Sequence, residues 1–338
     1  MRWLVTGGAG FIGSAFVRLA LREEWADRIV NLDKLTYAGN LENLAEVEGD
    51  PRHRFVHGDI GDTRLVMSLL EEERPCAIVH FAAESHVDRS ILGPEAFLET
   101  NVRGTFSLLE AARAAGVERF LHVSTDEVYG SIPEPDEADE TWPLRPSSPY
   151  SASKAGSDLL ALSYWTTFRL PIIVTRASNN YGPYQFPEKL IPLMISNAIE
   201  GKPLPIYGDG MQVRDWLYVD DHCRAVRAAL EKGSPGEIYN IGGSRALPNR
   251  RVVEMILNAL GKPYSLMTAV ADRPGHDRRY AITTAKLEQA SGWRALVSFE
   301  EGLERTIRWY RDNFSWVVRV KSGTYRLYYE ENYRNRIP

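Results

Sequence analysis

Met1-Arg2-Trp3-Leu4-Val5-Thr6-Gly7-Gly8-Ala9-Gly10-Phe11-Ile12-Gly13-Ser14 opens the chain with a short apolar run, a glycine cluster, and then apolar residues at helical spacing. Gly7, Gly10 and Gly13 form a GxxGxxG run, and Gly8, Gly10 and Gly13 also satisfy GxGxxG. Glycines at such places serve a tight turn, a close backbone approach to a pyrophosphate, and helix–strand packing. The helix that follows turns unpaired N–H groups toward negative charge. Set between a strand and a helix, the run predicts a dinucleotide site at the first turn of a doubly wound fold. Asp33 lies 20 residues past Gly13, at the end of the next predicted strand. An acid there suits the ribose 2′-hydroxyl of NAD and repels a 2′-phosphate. Lys34 follows it, which leaves some tolerance of phosphate, and NAD is the expected cofactor.

The same pattern repeats outward. Residues 3–6, 29–32, 54–56, 77–81, 119–124 and 171–175 read as buried strands, and 14–24, 63–73, 98–115 and 150–168 as helices. Strands alternating with helices predict an α/β chain with a Rossmann-type, doubly wound parallel sheet. Beyond Ser178, Pro and Gly become dense, from Gly182-Pro183 to Gly208 and Gly210, which predicts short elements in a smaller C-terminal lobe. The expected division is an NAD-binding domain over 1–178 and a mainly substrate-binding lobe over 179–338, with a strand near 238–241 returning to the main sheet. A helix over 299–314 precedes an aromatic tail with Trp316, Tyr325, Tyr328, Tyr329 and Tyr333.

Composition narrows the class. The 338 residues suffice for two such units, and 25% charged residues with 44% apolar ones mark a soluble globular chain. A net charge of −5 argues against a general nucleic-acid binder, although local Arg clusters suit a phosphorylated ligand. Cys76 and Cys223 stand far apart and offer neither a disulfide framework nor a metal pattern, so a reducing cytoplasm is expected. The residues before the glycine turn are too few for a secretory signal core, and no apolar run is long enough to cross a membrane.

Two further stretches carry chemistry: Ser124-Thr125-Asp126-Glu127-Val128-Tyr129-Gly130 and Tyr150-Ser151-Ala152-Ser153-Lys154. Tyr150 and Lys154 are four residues apart and share a helix face. A tyrosine beside a fixed cation loses its proton below its usual pKa of ~10. Asp126 and Glu127 fall at the carboxyl end of a predicted strand, the edge at which doubly wound sheets bind ligands. Adjacent carboxylates in a closed site repel, which raises one pKa and lowers the other. The residues alone do not say which of the two keeps its proton. The plain alternatives are a solvated acidic loop and a surface helix pair. The position at the sheet mouth, and the Pro146-Ser147-Ser148-Pro149 loop before the tyrosine, weigh against both. Asp59, at the end of the third strand, is either an adenine contact or the cap of the helix at 63–73.

Tyr150-x-x-x-Lys154 resembles the catalytic signature of the short-chain dehydrogenase/reductase superfamily. The glycine turn and the added lobe resemble its extended branch, which works mainly on nucleotide sugars. Within that branch the chain most resembles the dTDP-glucose 4,6-dehydratase family. The matching pieces include Asp33-Lys34-Leu35-Thr36-Tyr37-Ala38-Gly39-Asn40, Ala82-Ala83-Glu84-Ser85-His86-Val87-Asp88-Arg89-Ser90, Ser178-Asn179-Asn180-Tyr181-Gly182-Pro183, Arg214-Asp215-Trp216 and Asp272-Arg273-Pro274-Gly275-His276. With residues 125–130, 150–154 and 186–192 they span nearly the whole chain, and the segment between Tyr129 and Tyr150 is compact for the family.

The resemblance implies an NAD-dependent lyase that converts dTDP-glucose to its 4-keto-6-deoxy form and feeds deoxysugar nucleotide synthesis, rhamnose included. It implies Tyr150 as the base at the sugar 4-hydroxyl, with Lys154 lowering its pKa and Thr125 bonding the 4-oxygen. It makes Glu127 the base at C5 and Asp126 the acid for the departing 6-hydroxyl. It also places Phe11, Ile12, Lys34, Leu35, Thr36, Asp59, Ile60, Phe81, Ala82, Ala83, Ser85, Thr100 and Asn180 around NAD. Ser85, Asn179, Lys189, Leu190, Pro205, Ile206, Tyr207, Asn249 and His276 then line the nucleotide-sugar site. Arg214 and Arg273 suit a diphosphate, because guanidinium forks match phosphate oxygens; Arg278 and Arg279 are either ligand contacts or a solvated loop. His86 and His276 lack metal-ligand spacing, and no metal is expected.

Nucleotide-sugar 4-epimerases, UDP-glucuronate decarboxylases and GDP-mannose dehydratases share the expected fold. The first two do not need the Asp126-Glu127 pair, and the third favours the NADP that Asp33 opposes. A non-catalytic dinucleotide sensor on this fold would need none of Tyr150, Lys154 and the two acids. The family's usual homodimer pairs the helices at 98–115 and 150–168 into a four-helix interface. Val102, Phe106, Leu109, Leu159, Leu162 and Trp165 would face either that interface or the protein's own sheet.

Overall fold

The computed structural model describes residues 1–243 and 245–322. Tyr325, Tyr328, Tyr329 and Tyr333 lie outside the described residues. The first half runs β1 (Arg2–Thr6), α1 (Phe11–Arg22), β2 (Arg28–Asp33), β3 (His53–His57), α2 (Thr63–Glu73) and β4 (Ala77–His80). Next come α3 (Val87–Leu92) and α4 (Glu95–Phe97), which passes through a π-helical stretch at Leu98–Gly104 into α5 (Thr105–Ala115). Then follow β5 (Arg119–Thr125), α6 (Pro149–Phe168) and β6 (Ile172–Ala177). The second half contains β7 (Asn179–Tyr181), α7 (Leu190–Glu200), β8 (Leu204–Tyr207), β9 (Val213–Tyr218), α8 (Val219–Lys232) and β10 (Ile238–Ile241). It ends with β11 (Ala246–Pro248), α9 (Asn249–Leu260), β12 (Met267–Val270), α10 (Ala285–Ser291), α11 (Phe299–Asp312) and α12 (Phe314–Val320).

Seven strands form the main sheet in the order β10-β6-β5-β4-β1-β2-β3, all parallel. This is the Rossmann-type α/β fold that the alternating pattern predicts. Strands covered on both faces read as continuous apolar runs, and Trp3, Leu4 and Val5 are all buried. One face packs on α1, α8 and α10 through residues such as Phe16, Cys223 and Leu287. The other face packs on α2, α5 and α6 through Val66, Leu108 and Ala161. A separate core, with Ile191, Leu204, Trp216, Ile256 and Tyr310, fills the C-terminal lobe.

The lobe departs from the expectation of short elements. α7, α8 and α9 span 11, 14 and 12 residues. The prolines and glycines of this region sit between these helices rather than inside them, apart from Pro192 in the first turn of α7. There a missing N–H costs nothing. The helix expected at 299–314 breaks at Asn313 into α11 and α12.

A buried polar chain ties the sheet to α6. Arg176 of β6 donates from Nε to Asp158 Oδ2 of α6 at 2.9 Å, and from Nη1 to the Tyr129 hydroxyl at 3.0 Å. Tyr129 in turn donates to Asn240 Oδ1 of β10 at 2.8 Å. His122 Nε2 of β5 stands 3.3 Å from Asp158 Oδ1. Burial alone would raise the Asp158 pKa, but His122, Arg176 and Lys154 outweigh it and hold the carboxyl below its ordinary value. Removing one partner of a buried pair leaves an uncompensated charge. Arg176→Met is therefore expected to destabilise the fold by roughly 3–5 kcal/mol in denaturant titration at pH 7. A loss within 1 kcal/mol, about the value of a solvent-exposed pair, would show that the pair does not hold the sheet to α6.

Candidate active site

Every sheet strand ends at the same edge, and the chain order reverses between β1 and β4. A crevice opens there. Gly7 adopts φ +72°, and a Cβ on it would stand 2.6 Å from the Ala82 backbone nitrogen. A Cβ on Gly13 would clash with the Gly7 carbonyl. These two positions thus require glycine for the turn and for the approach of α1. Gly10 caps α1 without a side chain, which leaves the first N–H groups directed outward.

Asp33 closes the turn from the end of β2. Its carboxylate accepts from Ala9 N at 2.9 Å and Leu35 N at 2.8 Å. Burial raises its pKa, and these backbone N–H groups oppose the rise. Lys34 pairs with Asp59 at 2.6 Å. Asp59 Oδ1 accepts from Gly61 N, whereas α2 is capped by Asp62, which accepts from Arg64 N and Leu65 N. Asp59 is therefore not the cap of α2.

One cleft is lined by Gly7, Gly10, Phe11, Ile12, Gly13, Asp33, Lys34, Thr36, Asp59, Ile60, Phe81, Ala82, Ala83, Ser85, Thr100 and Asn180, together with Thr125, Asp126, Glu127, Tyr150 and Lys154. Leu35 instead packs into the core beside α1 while its N–H holds Asp33. Ser124 Oγ, Ser178 Oγ and Asn180 Oδ1 border this cleft, buried and without hydrogen-bond partners among the described residues. Glycine cradle, ribose-facing acid and unused polar atoms together fit a dinucleotide.

A second cleft adjoins the first, and Glu127, Asn179, Glu188 and Lys189 line both. Its other walls include Leu190, Pro205, Ile206, Tyr207, Arg214, Asn249, Arg273 and His276. Arg214 lies 4.1 Å over the Tyr280 ring and donates to the Val213 and Asp277 carbonyls. Arg273 is 3.8 Å from Asp88, and its buried Nε has no hydrogen-bond partner among the described residues. His276 Nδ1 is 2.6 Å from Asp272. Lys189 Nζ donates to the Ser85 carbonyl at 2.6 Å. Arg278 and Arg279 lie elsewhere. Arg278 forks onto Asp209 at the surface, and Arg279 donates to the carbonyls of Ile132, Pro133 and Asp136. Both arginines are spent on protein partners, and neither lines either cleft. Among the described residues, no group of three or more His, Cys, Asp or Glu could hold a metal.

Local structure aims the chemical groups. β5 ends at Thr125, whose side chain caps a 3₁₀ turn over Asp126–Tyr129 by accepting from Glu127 N at 3.2 Å. α6 starts from a reciprocal cap between Ser148 and Ser151, with Pro149 at its first position. This start fixes Tyr150 in the first turn. Lys154 Nζ donates to the Val123 carbonyl at 2.8 Å, one strand residue from Ser124.

Electrostatics separates the two acids. Burial, then Glu127 and Asp215, push Asp126 well above the carboxylate range, and its Oδ2 has no partner among the described residues. Glu127 is also raised by burial, but Arg273, Lys189 and Arg214 pull it back. Burial thus raises both acids, and the cations around Glu127 oppose the rise there more than around Asp126.

Tyr150 behaves differently from the sequence expectation. Burial and then Glu127 push its pKa far up, while the Thr125 hydrogen bond pulls it down. Lys154 is itself drawn down to about 8 by burial, with Asp158 resisting.

A Tyr–Lys helix beside a dinucleotide cleft, facing a paired acid and base, defines a short-chain dehydrogenase/reductase fitted for elimination. A family model described as GDP-mannose 4,6 dehydratase matches residues 4–306. The dTDP-glucose 4,6-dehydratase of Salmonella typhimurium is 52% identical, over 99% of this chain and 100% of that one. DesIV, a dTDP-glucose 4,6-dehydratase from Streptomyces venezuelae with NAD bound, superposes with a TM-score of 0.93 at 55% identity, over 95% of this chain and 100% of its own. A Thermus thermophilus UDP-glucose 4-epimerase in complex with NAD reaches 0.85 at 35% identity, over 92% and 99%. The chain belongs to the dTDP-glucose 4,6-dehydratase family.

The depressed lysine is directly measurable. Lys154, tracked by ¹³C NMR in cofactor-free protein, is expected to titrate near 8. A midpoint near ~10.4, the ordinary lysine value, would contradict the lowering of Lys154 by burial.

Proposed function

We propose that the protein converts dTDP-glucose to dTDP-4-keto-6-deoxyglucose and water, and so supplies a deoxysugar nucleotide. The unequal surroundings of Asp126 and Glu127 carry this reading, because elimination needs an acid and a base at one pH. Bound NAD supplies a reversible hydride acceptor with a positive nicotinamide, so that oxidation at C4 and reduction at C6 cancel. Gly7, Gly10, Gly13 and Asp33 would hold its diphosphate and ribose. Residues 1–178 with β10 serve chiefly this cofactor, and the lobe beyond serves the substrate.

Tyr150 takes the proton of the sugar 4-hydroxyl, and Thr125 orients the same oxygen. The resulting 4-ketone acidifies the C5 proton. Glu127 removes it, steadied as an anion by Arg273, Lys189 and Arg214. Asp126 gives its proton to the 6-hydroxyl, which leaves as water. Arg214 and Arg273 hold the substrate diphosphate in the second cleft.

The test is NMR of the purified protein with dTDP-glucose in D₂O. The expected product is the 4-keto-6-deoxy sugar carrying deuterium at C5. Glu127→Gln should lower turnover by about 10²–10⁴ and abolish that label. Equilibration at C4 with the 6-hydroxyl intact would instead make the enzyme an epimerase and remove the dyad's assigned role. The pH profile should fall on the acid side as Glu127 gains a proton. It should fall on the alkaline side as Asp126 and Lys154 lose theirs.

The protein also acts as a homodimer in the cytoplasm. Leu98 in the π-helical stretch, Phe106 on α5, and Leu159 and Phe168 on α6 are exposed apolar side chains on the two expected interface helices. Val102, Leu162 and Trp165 are partly buried beside them, while Leu109 is fully buried in the protein's own core and is no interface residue. Among the described residues, no helix is long and apolar enough to cross a membrane. Phe106→Glu combined with Leu159→Glu is expected to give a monomer in sedimentation velocity. A variant that sediments like the wild type would place any interface elsewhere.

A further inference from the structure

His222 stands in the first turn of α8, fully buried, and lines the cleft that Gly7, Gly10 and Gly13 cradle. Neither ring nitrogen has a hydrogen-bond partner among the described residues. Buried polar groups in folded proteins nearly always find one, and an exception requires an explanation. Its place in the fold supplies one. The thiol of the next residue, Cys223, lies 3.9 Å from the Ile12 carbonyl in the first turn of α1. Lining one cleft with Gly10, Phe11, Ile12 and Gly13, His222 lies on the side of α8 toward the helix end whose N–H groups face an anion. Ser178 Oγ adds a second unpartnered, buried hydroxyl to the same cleft. The acids nearest in sequence are engaged elsewhere. Asp221 accepts from Leu296 N and Val297 N, and Asp220 faces Arg224, Arg22 and Arg18.

We propose that His222 is a further cofactor-positioning residue, whose imidazole donates a hydrogen bond to the diphosphate of the bound dinucleotide, directly or through one water. Burial draws its pKa down to about 3, so at working pH the ring is neutral and carries one N–H and one free lone pair. A neutral donor holds a diphosphate without adding a charge beside the α1 terminus. This role rests on the reading of the first cleft as an NAD site.

The experiment uses the purified holoenzyme, its His222→Leu variant and its His222→Gln variant. Bound NAD per subunit is assayed after extraction, and release is followed by exchange with isotopically labelled NAD. Loss of a hydrogen bond to a charged group predicts release about tenfold or more faster in His222→Leu. His222→Gln keeps a donor and should stay close to the wild type. Exchange at the wild-type rate in His222→Leu overturns the proposal. If His222→Leu folds poorly, His222→Gln decides, because retention upholds the donor role and equal loss refutes it. Wild-type protein that neither carries nor binds NAD would overturn the cofactor reading instead.

Discussion

A carboxylate with no access to water, Asp158, is the interaction on which the site depends. It sits one helical turn beyond Lys154 and is gripped from the sheet by Arg176 and His122. β5, β6 and α6 are thereby locked in one register. The lock continues through Tyr129, two residues past Glu127, to Asn240 on the last strand of the sheet. Tyr150, Lys154 and the acidic pair thus belong to one polar spine rather than to separate loops. Such a chain tolerates little slippage, because each buried donor or acceptor released from its partner keeps its full desolvation penalty. Precise placement of groups for proton transfer is the benefit that offsets this cost.

The same dryness sets the chemistry. Burial raises Asp126, Glu127 and Tyr150 and lowers Lys154. Left alone, these shifts would neutralise the site and make it inert. What differentiates its members is the arrangement of fixed cations. Arg273, Lys189 and Arg214 surround Glu127, whereas Asp126 has Glu127 and Asp215 as nearer charges. Arg214 acts on both carboxyls, whereas Arg273 and Lys189 act chiefly on Glu127, so the second cleft makes the surroundings of the two unequal. Substrate diphosphate would share those cations, which couples binding in the second cleft to basicity in the first.

Much of this was legible in the sequence, for reasons that differ by residue. Gly7 and Gly13 announce themselves because only glycine fits a left-handed turn pressed against a neighbouring backbone. Asp33, Tyr150 and Lys154 are legible because short, local spacing fixes their geometry. The lobe was less legible. Dense prolines and glycines suggested short pieces, yet α7, α8 and α9 are full helices whose amphipathic faces meet only in three dimensions. Arg278 and Arg279 looked like Arg273 in sequence, but their partners, Asp209 and the 132–136 carbonyls, are set by tertiary structure alone. The burial of Tyr150 was not legible for a similar reason. Helical spacing shows that Lys154 is near and cannot show that burial weakens it. His222 carried no signal at all, since a lone histidine in a helix is usually core.

Fold alone therefore does not choose the reaction. A UDP-glucose 4-epimerase superposes on this fold with a TM-score of 0.85, and function resides in the site rather than the scaffold. What distinguishes a dehydratase is whether the ketone made at C4 meets a base at C5 and an acid at C6 before it is reduced again. On the proposed roles of Asp126 and Glu127, the 3₁₀ turn after β5 would supply that meeting. Thr125 caps it, so Asp126 and Glu127 leave the strand in a tight coil and project toward the edge shared by the two clefts. A longer or looser connection would deliver the same two residues to solvent, where like carboxylates simply ionise together. On that reading the catalytic distinction would reduce to a single capped turn at the end of one buried strand.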